Sequence, residues 1–334
     1  MLISFINSDF HYFFLVAGIG VYFSLKHKTG HSFFKEQSKR LLLPLFFGIL
    51  VLVPPMIYFE KLYNGVFMGS FWEFYPKFFS EGVYPAGNFS WHHFWFLAYL
   101  YLMCLITWPL FQYVLHRGKT NVCRVVGLLS GKFALYKVVV VLIVIEIALR
   151  PLFPGVRDLL NDWASFTHWW VVFMLGYLFA GNTILLERCK NILTYSFAIG
   201  LLSSGLLFTL FFDVQAYRFP VYEELTLNNL FNFVCLSIIK MISVWAWVLT
   251  FIGFSVRFLN RPSVLLSYLN SAVYPLYCVH LTITVILAYY IIPLNISIPV
   301  KLLSITIGTF LLAFVIYELL VKRISWIRPF VGHK

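Results

Sequence analysis

Long apolar stretches recur along the whole chain and determine the predicted fold. Each runs for about 20 residues with few charges, the length that an α-helix needs to cross the roughly 30 Å hydrocarbon layer of a membrane. Nine such stretches are predicted, at residues 9–25, 41–59, 92–115, 133–149, 165–185, 192–213, 228–255, 264–292 and 300–321. The pattern therefore predicts an all-α integral membrane protein, a bundle of about nine transmembrane helices.

The composition excludes a soluble globular protein. Of the 334 residues, 61% are hydrophobic, 20% are aromatic and only 11% are charged, whereas soluble domains carry about 25% charged residues. A core this large would have no polar shell, so we expect its apolar surface to face lipid. The five cysteines form no CxxC pair, so we expect neither a disulfide framework nor a zinc site, and no metal cofactor.

The positions of Lys and Arg predict the orientation in a cell membrane. Of the 25 basic residues, 17 lie in tails and loops on one side of the predicted spans, five lie on the other side and three lie within spans. The positive-inside rule makes the richer side cytoplasmic, which places the C-terminus inside and Met1 outside. The net charge of +12 thus reflects membrane topology, and we expect no nucleic acid as a partner.

The chain is predicted to be a single transmembrane domain over residues 1–334, because it shows no internal repeat and no low-complexity tract. Its longest stretch between spans, residues 60–91, is rich in aromatic residues and is predicted to be an external interfacial loop. Two interpretations stay open for this loop: an amphipathic segment at the headgroup level, or a lid over an external cleft.

One face of the predicted helix 264–292 is polar. Its residues follow the spacing i, i+4, i+7, i+10 and i+14 of a single helix face: Asn270, Tyr274, Tyr277, His280 and Thr284. His280 lies near the middle of the bilayer, where a neutral imidazole can act as a general base and Tyr277 can orient it. His280 and Tyr277 are therefore the catalytic candidates, and the alternative is a hydrogen-bonded structural histidine.

A second polar stripe surrounds a lysine in the predicted helix 228–255. It comprises Asn229, Asn232, Ser237, Lys240 and Ser243. The stripe either lines a substrate cavity, which makes Lys240 a substrate-binding candidate, or packs against other helices through hydrogen bonds. In the predicted helix 133–149, Glu146 and Arg150 stand four residues apart and predict a structural ion pair.

Two histidines and a tryptophan open the predicted helix 92–115. His92 and His93 point about 100° apart on a helix, which is poor geometry for chelating one metal ion. Hydrogen bonds to a sugar-like acceptor are the functional interpretation of His92, His93 and Trp95, whereas an aromatic belt at the membrane interface is the structural one.

Four stretches of the chain carry a family resemblance. They are HHFWFLAYLYLMCLITWPL at 92–110, WWVVFMLGYLF at 169–179, LNSAVYPLYCVHLTITVILAYYI at 269–291 and KRLLLP at 39–44. In this order they resemble the membrane-bound acyltransferase-3 family, and within it most closely the glucan biosynthesis protein C type. The resemblance implies a ten-helix bundle that transfers an acyl group from cytoplasmic acyl-CoA to a hydroxyl of an envelope glycan.

The resemblance also implies a catalytic histidine on the first family helix, eleven positions after an Arg or Lys. The chain is expected to lack that helix, which would also explain an external Met1. The same spacing occurs at Arg157/His168 and at Lys322/His333, but neither pair lies in an opening helix, so no catalytic role is assigned to them.

The basic segment before the second predicted span is the candidate site for the CoA phosphates. Family members commonly show Arg-x-x-Arg here, and this chain has Gln37 in place of the first Arg, followed by Arg40. Lys35 and Lys39 supply further charge. These three basic residues suit phosphate binding through charge-assisted hydrogen bonds, and the alternative is a positive-inside anchor.

The function expected from these residues is O-acyl transfer, with an acetyl or succinyl group as the acyl chain. No GxSxG nucleophile elbow is present, which favours direct transfer over an acyl-enzyme. Two alternatives stay open: a transporter or flippase that uses the Lys240 and His280 stripes as a polar pathway, and an inactive truncated family member.

Overall fold

The computed structural model describes residues 10–26, 30–116, 118–155, 157–212 and 227–333. Within these residues the regular secondary structure is helical, without strands. The helices are α1 (Phe10–Lys26), α2 (Gly30–Tyr63), α3 (Phe71–Ser80), α4 (Trp95–His116), α5 (Lys119–Leu129), α6 (Lys137–Leu149), α7 (Trp163–Gly181), α8 (Thr183–Asn191), α9 (Leu193–Phe212), α10 (Leu227–Phe254), α11 (Val264–Ile291) and α12 (Ile298–Val321).

The prediction of an all-α membrane protein is confirmed, and each of the nine predicted stretches corresponds to a helix. Among the described residues, six helices are long and apolar enough to cross a membrane, namely α2, α4, α9, α10, α11 and α12. A seventh span results if α7 and α8, which meet at an angle of 105°, are taken as one broken span.

Two of the nine predicted stretches form helices shorter than a full crossing. In the described residues α1 has 17 residues and α6 has 13. At about 1.5 Å per residue, α6 covers only about 20 Å of a hydrocarbon layer of roughly 30 Å. The predicted start at residue 133 is too early for α6, because Ala134–Tyr136 forms a 3₁₀ turn before it.

The chain forms two compact units. The first comprises residues 1–29 and 102–261, and the second comprises residues 30–101 and 262–334. Each unit thus combines segments that are distant in sequence. The prediction of a single domain stays a prediction.

In the first unit, α1 packs along α7 at unusually close range because glycines line their contact. A Cβ added to Gly18 would overlap the Phe173 carbonyl oxygen, and one added to Gly176 would overlap the Leu15 carbonyl oxygen. Small residues at a helix contact let two backbones approach, which is how helices associate in lipid without a hydrophobic driving force.

Around this helix pair, the first unit has an apolar core to which α6, α7, α8 and α10 contribute. Trp245 of α10 is fully buried there, and its indole N–H donates a hydrogen bond of 2.8 Å to the Leu135 carbonyl before α6. The large apolar ring thus packs in the core while its one polar atom is satisfied.

In the second unit, α11 packs against α12 and against the C-terminal part of α2. Helix α2 contains three prolines, Pro44, Pro54 and Pro55, and two wide turns, at Ser38–Leu42 and Gly48–Leu52. Proline removes a backbone donor from a helix, so α2 has carbonyl groups that need partners outside it.

The predicted interfacial loop at 60–91 contains the short helix α3. This helix begins with a capping box, in which the Ser70 hydroxyl accepts from the Glu73 N–H and the Glu73 carboxylate accepts from the Ser70 N–H. Phe74 and Phe78 are buried, whereas Trp72 is 79% exposed. The helix is therefore amphipathic, and its position outside the cell stays a prediction.

The close contact between α1 and α7 yields a stability prediction. Gly176→Val is expected to destabilise the folded protein by about 1–3 kcal/mol, because the added side chain must displace the backbone of α1. Thermal unfolding of the purified protein in detergent measures this change. Gly20→Val is the matched control, since a Cβ at this position meets no atom within 4 Å; equal unfolding temperatures for the two variants would contradict the prediction.

Candidate functional site

In the second unit, the basic segment at the start of α2 is attached to α11 through a backbone carbonyl. Pro44 has no N–H to donate to the carbonyl of Arg40 four residues earlier. The hydroxyl of Tyr274 donates to that carbonyl instead, at 2.7 Å. The Arg40 guanidinium carbon also lies 6.0 Å from the centre of the Tyr274 ring, at the distance limit of a cation–π contact.

The three candidate CoA ligands are exposed. Lys35, Lys39 and Arg40 are exposed, whereas Gln37 is 7% exposed. The basic side chains are therefore accessible to an anionic ligand, and Gln37 packs into the protein.

A backbone carbonyl determines which ring nitrogen of His280, on α11, carries the proton. Its Nδ1 lies 2.7 Å from the Tyr277 carbonyl oxygen. A carbonyl can only accept, so Nδ1 carries the proton of the neutral ring and Nε2 presents its lone pair. Tyr277 thus orients His280, as the sequence suggested, but through its main chain and not through its phenol.

His93 is the second imidazole at this place, with its ring centre 5.3 Å from that of His280. Its Nε2 lies 3.2 Å from the Cys278 carbonyl and therefore donates to it. The Tyr277 hydroxyl in turn donates to the His93 carbonyl at 2.5 Å. Nδ1 of His93 is buried without a hydrogen-bond partner, so it too presents a lone pair.

Within the second unit, the structure brings together residues from three sequence predictions: the basic segment, the polar face of α11 and the histidines before α4. Arg40 contacts Tyr274, and Tyr274 is followed on the same helix by Tyr277 and His280, which contact His93. We call Arg40, Tyr274, Tyr277, His280 and His93 the α11 site.

Two other predicted sugar contacts, His92 and Trp95, lie apart from the α11 site. Nδ1 of His92 is 2.9 Å from the Ser90 hydroxyl, and its ring meets the Tyr84 ring edge-on at 5.2 Å. Trp95 is only 1% exposed and packs edge-on against Tyr99 at 5.1 Å. In the described structure Trp95 is therefore a core residue, and it offers no open face to a sugar.

In the first unit, Lys240 belongs to a buried charge cluster that the sequence did not indicate. Its Nζ lies 2.9 Å from Oε1 of Glu146, a residue 94 positions earlier and only 1% exposed at its side chain. Oε2 of Glu146 lies 3.3 Å from Arg150 Nη2, which confirms the predicted ion pair. The same oxygen is 3.7 Å from Nε2 of His168.

Arg150 connects the cluster to the loop before α7. It donates to the Ser165 hydroxyl at 3.0 Å and to the Gly155 carbonyl at 3.4 Å, and it lies 3.8 Å from the Asp162 carboxylate. We call Glu146, Arg150, Asp162, His168 and Lys240 the Glu146 cluster. The sequence signals for it were the i, i+4 spacing of Glu146 and Arg150 and the lysine within a predicted span, but the sequence did not connect the two.

The rest of the polar stripe on α10 forms hydrogen bonds between helices or faces outward. Ser243 lies 3.0 Å from Ser204 of α9, which also accepts from the Trp247 indole at 2.9 Å. Asn232 is exposed, and the side chain of Asn229 lies outside the described part of the chain. Ser243 thus fits the helix-packing interpretation, whereas Lys240 lines a cavity in the first unit.

No group of three or more His, Cys, Asp or Glu side chains in the described ranges is arranged to hold a metal ion. The five cysteines are free thiols.

Comparison with known proteins gives one match. The model of the acyltransferase 3 family, an acyltransferase domain, matches residues 10–318, which is nearly the whole chain. No curated protein matches the sequence, and no solved structure matches it either. The match is to the family as a whole, so the glucan biosynthesis protein C type stays a prediction.

The Glu146 cluster yields a prediction about stability. Lys240→Met is expected to destabilise the protein by about 1.5–3 kcal/mol, because the buried Glu146 carboxylate loses its nearest cation and keeps Arg150. The double variant Glu146→Gln/Lys240→Met is expected to recover a large part of this loss, since the neutral amide does not need a second cation.

Thermal unfolding of the detergent-purified protein measures both effects. Lys190→Met is the control, because Lys190 forms its ion pair with Glu187 on the surface, where such pairs contribute about 0–1 kcal/mol. A Lys240 variant as stable as the Lys190 variant would show that the buried carboxylate does not depend on Lys240.

Proposed function

The chain belongs to the acyltransferase 3 family, and from this premise we propose that it is an integral membrane O-acyltransferase of the cell envelope. It transfers an acyl group, acetyl or succinyl, from cytoplasmic acyl-CoA to a hydroxyl of an envelope glycan. The observation that carries the proposal is the α11 site, because one helix contacts both the basic segment suited to the donor and two imidazoles suited to proton transfer.

The donor is proposed to bind through its phosphates at the start of α2. Lys35, Lys39 and Arg40 are exposed there on adjacent helical turns. Phosphate oxygens form strong charge-assisted hydrogen bonds with guanidinium and ammonium groups. The Tyr274 hydroxyl holds the main chain of Arg40, so the position of this cation is coupled to α11. The richer share of basic residues on this side supports a cytoplasmic donor.

His280 is proposed as the general base. The Tyr277 carbonyl keeps the proton of the ring on Nδ1, so Nε2 is the nitrogen that takes the proton of the acceptor hydroxyl. The hydroxyl oxygen then attacks the thioester carbonyl, an ester C–O bond forms and the C–S bond breaks. The CoA thiolate leaves, and the proton held by His280 neutralises it.

Tyr277 and His93 are proposed to position this base and the acceptor. Tyr277 contacts His280 through its carbonyl and the main chain of His93 through its hydroxyl. Nδ1 of His93 has no hydrogen-bond partner, so it is available to a second hydroxyl of a sugar. His92, half-buried at the start of this segment, is a further proposed sugar contact of the second unit. Lys240 is proposed as a sugar contact of the first unit by itself.

Removal of Arg40 tests the donor assignment. Arg40→Ala is expected to raise KM for acyl-CoA about tenfold or more, because a charge-assisted hydrogen bond contributes about 1.5–3 kcal/mol. Steady-state acyl transfer by the purified protein, with labelled acyl-CoA and an envelope glycan, measures KM. Arg261→Ala, which removes an exposed arginine elsewhere in the chain, is expected to leave it unchanged.

If Arg40→Ala and Lys39→Ala both retain the KM of the wild type, the assignment of this segment to CoA is wrong. Release of CoA without acylation of any glycan would contradict the proposed acceptor.

Removal of His280 tests the base. His280→Ala is expected to lower kcat about 10²- to 10⁴-fold, the usual contribution of a positioned general base, while KM for acyl-CoA changes little. His31→Ala is the control, since His31 is an exposed histidine of the same unit. A correctly folded His280→Ala protein with full activity would remove His280 from the mechanism.

A further inference from the structure

The first unit contains a small cavity that the proposed donor site and base do not use. Its polar and aromatic lining is formed by His11, Arg150, Ser165, His168, Trp169 and Lys240. It has room for about one water-sized group. Among its ion-paired side chains Lys240 is the most accessible at 24% exposed, compared with 9% for Arg150 and 2% for His168.

The ion pairs described at the cavity contain as many cations as carboxylates, which favours a neutral ligand. Two cations, Lys240 and Arg150, contact two carboxylates, those of Glu146 and Asp162. An added anion would upset this balance in a site of low dielectric constant, where an unpaired charge is costly.

His168 supplies an unsatisfied polar atom at this cavity. Its Nε2 is buried without a hydrogen-bond partner among the described residues. The Oε2 atom of Glu146 lies 3.7 Å away, beyond hydrogen-bond distance. A ring nitrogen of a neutral imidazole either donates or accepts, depending on the tautomer.

The arrangement needs a group that both donates and accepts. Nε2 of His168 needs a partner that can donate or accept, and the N–H groups of Lys240 and Arg150 can donate to an acceptor. A hydroxyl group has one donor and two lone pairs, is neutral and fits the available space.

We propose that the cavity binds a hydroxyl group of a neutral sugar, which forms a hydrogen bond with Nε2 of His168 and accepts from Lys240 or Arg150. The site is distinct from the α11 site and is formed entirely by residues of the first unit. The choice of a sugar as the source of the hydroxyl rests on the proposed function, whereas the fit of a neutral group of this size that donates and accepts rests on the cavity alone.

Calorimetric titration of the full-length protein in detergent, without any acyl donor, tests the proposal. The probes are a neutral glucose tetramer and the corresponding tetramer of glucuronic acid. We expect the neutral sugar to bind and His168→Phe, which fills the space but has no hydrogen-bonding atom, to weaken binding about tenfold. His168→Gln keeps an amide that donates and accepts, and is expected to stay within about threefold of the wild type. Lys190→Met, which removes a surface lysine, is expected to bind like the wild type.

Equal affinity of the Phe variant and the wild type, or no binding of the neutral sugar, overturns the proposal; so does binding of the acidic sugar alone. If the Phe variant does not fold, a structure of the wild type with the neutral sugar decides. A sugar oxygen within hydrogen-bond distance of His168 Nε2 supports the site, and an ordered water alone overturns it. No acyl donor is present in this titration, so a failure to bind the sugar does not contradict the acyl transfer reaction. The proposed function is contradicted separately, if the wild type does not transfer an acyl group.

Discussion

Within a membrane, every polar group of a helix must find its partner inside the protein, because lipid offers none. This constraint accounts for the arrangement of both units. In the first unit it acts on the Glu146 carboxylate, which is almost completely buried and is contacted by Lys240 and Arg150. A carboxylate of this kind is tolerated only when cations from neighbouring elements neutralise it. The packing of α10 against α6 must therefore keep Lys240 in contact with the two carboxylate oxygens of Glu146.

In the second unit the same constraint acts on the main chain of α2. Pro44 and Pro54 each lack the N–H that would bond the carbonyl four residues earlier. Those carbonyls belong to Arg40 and Leu50, and both accept from tyrosine hydroxyl groups, of Tyr274 at 2.7 Å and of Tyr75 at 3.0 Å. These two carbonyl groups thus attach α2 to neighbouring helices. The bond from Tyr274 places Arg40 against α11, the helix that carries His280.

Two imidazoles of the second unit have the same hydrogen-bond pattern. His93 and His280 each bond a backbone carbonyl through one ring nitrogen. A neutral imidazole held in this way has a defined tautomer, with a lone pair on the other nitrogen. The backbone therefore makes both histidines hydrogen-bond acceptors, and both contact Tyr277. His168 of the first unit differs from them, because it lies beside the charged side chains of the Glu146 cluster.

Sequence alone determined the long apolar helices and which of their residues share a face, because apolar periodicity is a local property of the chain. The shorter helices α3 and α5, and α8 as a separate helix, were not predicted, since they lack a long apolar run. It identified the polar face of α11, on which Tyr274, Tyr277 and His280 follow one another, and the ion pair of Glu146 with Arg150. Only the tertiary structure joined Glu146 to Lys240, placed His168 beside them and buried Trp95. The bend of 105° between α7 and α8 was likewise hidden in a continuous apolar stretch. The physical reason is that periodicity shows which side of a helix is polar, whereas the partner of that side depends on packing between segments far apart in the chain.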